Sequence, residues 1–93
     1  MKEHSYTVIL RAEPEGGYTV LVPALPGCVT YGETIAEALR MAEDAIRWHI
    51  EGLRELGEPV PQEGAEITLP AEELVGTLLI YRVTPAGEVV EVA

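Results

Sequence analysis

The stretch from Thr34 to Gly57 limits what this chain can fold into more than any other. Thr34-Ile35-Ala36-Glu37 is a capping box. The Thr34 hydroxyl can accept from the Glu37 N–H while the Glu37 carboxylate reaches back, so two main-chain donors at a helix start find partners. Behind it, apolar side chains recur at Ile35, Ala38, Leu39, Ala42, Ala45, Ile46, Ile50, Leu53 and Leu56. That is the spacing of a helix with one apolar stripe. Gly57 suits the left-handed residue after a helix, and Pro59 and Pro61 prevent continuation. Gly52 costs roughly 1 kcal/mol against Ala and marks either close packing or an early end. Arg40/Asp44, Glu43/Arg47 and Arg47/Glu51 are i,i+4 pairs on the outer side, each worth about 0.2–0.5 kcal/mol. Most of the stability of such a helix comes from laying its stripe on another apolar surface.

That surface is a sheet. In Tyr6–Ala12, Tyr6, Val8 and Leu10 point one way and Thr7, Ile9 and Arg11 the other, the period of a strand with one strongly apolar face. Glu13-Pro14-Glu15-Gly16-Gly17 is turn chemistry, and Tyr18–Val22 returns as the second strand of a hairpin. Pro23 and Pro26 lack an N–H and break the ladder. Cys28–Tyr31 reads as a short third strand, Glu66–Leu69 as another, and Ala71–Leu74 as one helical turn. Thr77–Val83 is a strand, Thr84–Gly87 a turn and Glu88–Val92 a closing strand. The order is β-β-β-α-β plus a C-terminal hairpin. It predicts an α+β fold, an antiparallel sheet with one long helix packed on it, in a single domain over residues 1–93. A chain of this length can build one core without staples, and its lone cysteine excludes an internal disulfide.

Charge narrows the function. Sixteen acidic against six basic side chains give a net charge of −10. The basic residues, Lys2, Arg11, Arg40, Arg47, Arg54 and Arg82, are scattered. Contact with phosphates needs clustered cations, so direct nucleic-acid binding is not expected. An acidic exterior keeps the chain soluble and suits a basic partner. The longest apolar run near the N-terminus is Val8-Ile9-Leu10, far short of a signal peptide's centre or a membrane span. The chain reads as soluble and cytoplasmic.

Three features carry possible chemistry. Cys28 stands six residues before Thr34, and a helix N-terminus lowers a thiol's pKa. A nucleophile also needs a base and an orienting group, and the only imidazoles are His4, near the chain start, and His49, inside the helix. A free cysteine more often behaves as a small buried hydrophobe. One Cys and two distant His match no structural zinc spacing, so neither metal nor cofactor is expected. Trp48 follows Met41 by one heptad at the edge of the polar helix face. The pair is either a partner contact or peripheral core.

Read whole, Tyr18-Thr19-Val20, then Pro23-Ala24-Leu25-Pro26-Gly27-Cys28-Val29-Thr30-Tyr31-Gly32-Glu33-Thr34, then Glu37-Ala38-Leu39 resembles the signature of the HicB-like antitoxin family, the UPF0150 group. The likeness runs over about residues 6 to 61. It implies a partial ribonuclease H-like fold, a three-stranded antiparallel sheet with a packed helix. It also implies a non-enzymatic role: binding and neutralising a small basic messenger-RNA-cleaving toxin of the HicA type. Pro23, Pro26, Gly27, Cys28, Gly32, Thr34 and Glu37 are then scaffold, and Tyr31, Glu33, Met41 and Trp48 are the candidate partner contacts. Family members often carry a C-terminal DNA-binding domain. Residues 66–93 instead read as strands with Arg82 their only basic residue. Two alternatives stand beside this reading. One is self-association into a homo-oligomer through edges around the apolar run Leu78-Leu79-Ile80-Tyr81; the other is a small hydrolase using Cys28 or carboxylates.

Overall fold

The computed structural model describes residues 5–64, 67–84 and 89–91, the last three by their backbone. The alternating segment Tyr6–Ala12 forms strand β1. Gly16 and Gly17, both at positive φ, reverse the chain into β2 (Tyr18–Leu21), with Ile9 opposite Leu21 and Ala12 opposite Tyr18. After β3 (Val29–Gly32) comes helix α1 (Ile35–Glu55), then a single 3-10 turn at Ala71–Glu73, then the hairpin strands β4 (Leu78–Val83) and β5 (Val89–Glu91). All pairings are antiparallel, and the strand order is β3-β2-β1-β4-β5. The fold is α+β, one helix on an antiparallel sheet. The sheet has five strands rather than three, because β4 pairs along the whole outer side of β1.

Directly opposed residues in an antiparallel pair share a face. Tyr6, Val8 and Leu10 therefore share theirs with Val20, Leu79, Tyr81 and Val83. This face receives Ala38, Ala42, Ile46 and Ile50 of α1, all buried. Full burial of a side chain such as Leu10 or Ile46 contributes about 1.5–3 kcal/mol. At the sheet's end the approach is closest. A Cβ on Gly32 would lie 2.4 Å from the Ala38 Cα and N, so only glycine lets the first turn of α1 reach β3.

Both helix ends are satisfied. The Glu37 N–H donates to Thr34 Oγ1 at 3.1 Å, and the Glu37 carboxylate accepts from the Glu33 N–H, one residue earlier than a standard capping box. At the C-terminus the Gly57 N–H bonds the Arg54 carbonyl and the Glu58 N–H bonds Leu53, with Gly57 at φ 72°. This is a Schellman closure. Gly52 neither ends the helix nor marks close packing, since a Cβ there would meet nothing within 4 Å. Of the outer pairs, Arg47 bonds Glu43 and Asp44. Among the described residues Arg40/Asp44 and Arg47/Glu51 form no ion pair, because one guanidinium takes both nearby carboxylates. Leu56, the last residue of the apolar spacing, caps the helix and is exposed.

The opposite sheet face carries Thr7, Ile9, Arg11, Thr19, Leu21, Leu78, Ile80 and Arg82 and, at its margin, Val29 and Tyr31. Residues 57–64 and 67–77 run along it as a strap held near both ends of β1. At one end Glu63 accepts from the Thr7 N–H at 2.6 Å, the Thr7 hydroxyl at 2.7 Å and Arg82 at 2.9 Å. The Tyr6 hydroxyl also donates to the Pro61 carbonyl. At the other end Arg11 bonds Glu73 and Glu13. The expected strand at Glu66–Leu69 does not form over 67–69, and Glu66 lies outside the described residues. The segment crosses the face of the sheet, where β1 and β4 already pair on both sides. The expected turn over Pro85–Gly87 also lies outside the described residues. β4 lies between β1 and β5, but β5 pairs only with Tyr81–Val83, so among the described residues no strand covers the outer side of Leu78–Ile80.

Candidate partner-binding surface

The scaffold of the surface is the corner between β2 and β3. The Leu25 N–H bonds the Val22 carbonyl, and the Cys28 N–H bonds the Leu25 carbonyl at 2.9 Å. These are two successive four-residue turns with Pro23 and Pro26 at their second positions. Gly27 follows at φ 85°, the type II arrangement in which only glycine is unstrained. Leu25 plugs the core from this corner, fully buried.

Cys28 belongs to the corner rather than to β3, which starts at Val29. Its carbonyl accepts from the Val22 N–H, and its side chain is buried in the core with Leu25 and Val22. Burial pushes the thiol pKa up, the reverse of what a nucleophile requires. Alkylation by iodoacetamide, followed by mass spectrometry, is expected to be many-fold slower in native buffer than in urea. Equal rates would show an open thiol. His4 lies outside the described residues, and His49 is half-buried on α1. Among the described residues no group of three or more His, Cys, Asp or Glu side chains is placed to hold a metal ion, and no helix is long and apolar enough to cross a membrane.

The contact candidates fall into two pairs. Tyr31 and Glu33 sit on and just beyond the outer strand β3, both exposed. The Tyr31 ring lies over Gly17, where a Cβ would stand 1.8 Å from the phenol oxygen, and its hydroxyl donates to the Gly16 carbonyl at 3.0 Å. Partial burial, then the charges of Glu33, Glu15, Glu13 and Glu37, raise the phenol's pKa. The hairpin turn thus adds Glu13 and Glu15 to the signature's own Glu33 and Glu37 as charges acting on this phenol. Met41 and Trp48 occupy the outer side of α1. Trp48 is 76% exposed, which removes the peripheral-core alternative for this residue. Among the described residues no hydrogen bond or ion pair joins the two pairs.

Residues 6–74 match the sequence profile of the HicB-like antitoxin of bacterial toxin–antitoxin systems. The chain belongs to the HicB-like antitoxin family. A UPF0150 protein of Thermoplasma acidophilum is 49% identical over 61 residues, 66% of this chain and 88% of that protein. Antitoxin HicB of Escherichia coli K12 is 49% identical over 41 residues, which cover 44% of this chain but only 30% of that antitoxin. Among solved structures, the N-terminal domain of Burkholderia pseudomallei antitoxin HicB superposes with a TM-score of 0.54 at 32% identity, over 82% of this chain and 93% of that domain. A chain of the HicA3 and HicB3 toxin–antitoxin complex gives 0.58 at 27% identity, with the same coverage. This HicB-like chain therefore shares its helix-on-sheet fold with the HicB antitoxin domains.

Proposed function

We propose that this chain neutralises a small basic HicA-type toxin that cleaves messenger RNA, acting by occlusion of the toxin's RNA-binding surface and not by chemistry of its own. The likeness to a chain of the HicA3 and HicB3 complex supports this reading most strongly. The net charge of −10 suits a partner whose own surface must attract RNA. In this reading residues 1–93 form one domain, cytoplasmic and without direct nucleic-acid contact. The sheet-and-helix scaffold is of the ribonuclease H kind, used for binding. Trp48 and Met41 supply apolar contact from α1, with Tyr31 and Glu33 alongside. An RNA-cleavage assay tests it. Cleavage by a HicA-type toxin is expected to stop when this chain is present in slight excess. Trp48→Ala is expected to weaken inhibition at least tenfold while leaving the melting temperature within a few degrees. Undiminished cleavage at large excess would contradict the reading.

A second reading, self-association, is favoured by the strap side of the sheet, where Ile80, Ile67, Leu74 and Val75 are between 40% and 56% exposed. Light scattering of the free chain decides it. A dimer or larger species supports it, and a monomer at high concentration removes it.

A further inference from the structure

β3 ends the sheet on one side. Its ladder to β2 fixes which of its main-chain groups are free. The Val22 N–H bonds the Cys28 carbonyl, and Val20 lies opposite Thr30 and Tyr18 opposite Gly32. Hydrogen-bonded pairs recur every second residue in an antiparallel ladder. Residues 28, 30 and 32 therefore turn toward β2, and Val29 and Tyr31 turn both their N–H and C=O groups outward. Their side chains are open too, Val29 at 58% and Tyr31 at 43% exposure. Natural edges are normally blunted by lysine, proline or a bulge. Val29–Gly32 contains no lysine or proline, and its register to β2 runs without interruption.

The charge around this edge has one sign. Glu33, Glu15, Glu13 and Glu37 all act on Tyr31. Glu13 is taken by Arg11 and Thr19 and Glu37 by the helix cap. Glu15 and Glu33 are exposed and form no ion pair among the described residues. A second copy would bring the same carboxylates against themselves. An extended segment with Lys or Arg at alternate positions would instead satisfy the outward main-chain groups and the free charge together.

We infer that the outer edge of β3 takes an extended, basic segment of the toxin as a sixth strand, paired to Val29 and Tyr31 and facing Glu15 and Glu33. The inference rests on the proposed toxin partner and adds the surface and the mode of docking. It is tested with the full chain and a HicA-type toxin by calorimetry. Val29→Pro removes an outward N–H that β2 does not use, so the ladder survives. It is expected to weaken toxin binding at least tenfold. The double variant Glu15→Lys, Glu33→Lys does not depend on proline being tolerated. It is expected to weaken binding by a similar factor at low salt, with the loss shrinking as salt rises. The charge-matched pair Glu55→Lys, Glu58→Lys, at the far end of α1 and about 30 Å away, is expected to cost much less.

A folded Val29→Pro chain, or a Glu15→Lys, Glu33→Lys chain, that binds toxin as tightly as wild type overturns the edge and leaves the toxin reading standing. Wild type that binds no such toxin overturns both. A dimer of the free chain that Val29→Pro dissolves assigns the edge to a second copy and also overturns the inference.

Discussion

Gly32→Val is expected to destabilise the protein by about 3 kcal/mol or more. Gly32 is not at positive φ, so backbone strain plays no part. The cost is steric. The first added carbon would lie 2.4 Å from the Ala38 Cα and N, and these are main-chain atoms in the first turns of α1 that no rotamer change can move. Either the helix lifts from the sheet, exposing Ala42 and Ile46, or β3 leaves β2. Against a total stability of about 5–15 kcal/mol, a loss of that size lowers the melting temperature of a domain this long by about 12 °C or more. Thermal unfolding followed by circular dichroism reads it. An unchanged midpoint would mean that α1 does not approach β3 as described. Gly52→Ala is the internal contrast. It meets open space and is expected to stabilise by about 0.5–1 kcal/mol through helix propensity.

Glu63→Ala is expected to cost about 2–3 kcal/mol, because it strips partners from a buried N–H and a buried hydroxyl at once. Thr7 is nearly inaccessible to water in the intact chain, where the Glu63 carboxylate covers both its N–H and its hydroxyl. Arg82 is more open, and its share is reduced by hydration. The same carboxylate makes stability depend on pH. Burial alone would raise its pKa, but the hydrogen bonds from the Thr7 N–H and hydroxyl and from Arg82, together with the Arg82 charge, outweigh burial and hold it below 4.5. A depressed carboxyl contributes stability that is present above its ordinary value and lost as pH falls through the folded one. Wild type is thus expected to lose stability on acidification below about pH 4.5, and Glu63→Gln to show a shallower loss over that window. Parallel denaturation curves for the two at every pH would contradict the clamp.

What could be read from residues alone divides by the range of the interactions. The cap at Thr34, the stripe through Ala42 and Ile46 and the closure at Gly57 are local, and the helix stands where they put it. The turn chemistry of Pro26-Gly27 placed the corner, though β3 begins one residue later than expected because the Cys28 N–H is used in the turn. The strap was not legible. Its clamps join residues 56 and 62 apart in sequence, and nothing near Glu63 or Glu73 distinguishes them from the other glutamates. Trp48 fell at the edge of the helical stripe, where periodicity cannot separate half-buried from open. Its exposure follows from a stripe narrowed to Ala38, Ala42, Ile46 and Ile50 against the sheet. Of the carboxylates beside Tyr31, Glu13 and Glu15 escaped the signature because they arrive from a different turn.

In the proposed toxin role, the helix-on-sheet scaffold presents its acidic exterior to a basic partner. Calorimetric titration of a HicA-type toxin into the wild-type chain, at low and at raised ionic strength, tests it most directly. A saturable complex that weakens as salt rises is expected, with RNA cleavage falling in step with the fraction of toxin bound. A toxin that stays fully active in saturating amounts of this chain, with no heat of binding at either salt, would contradict it.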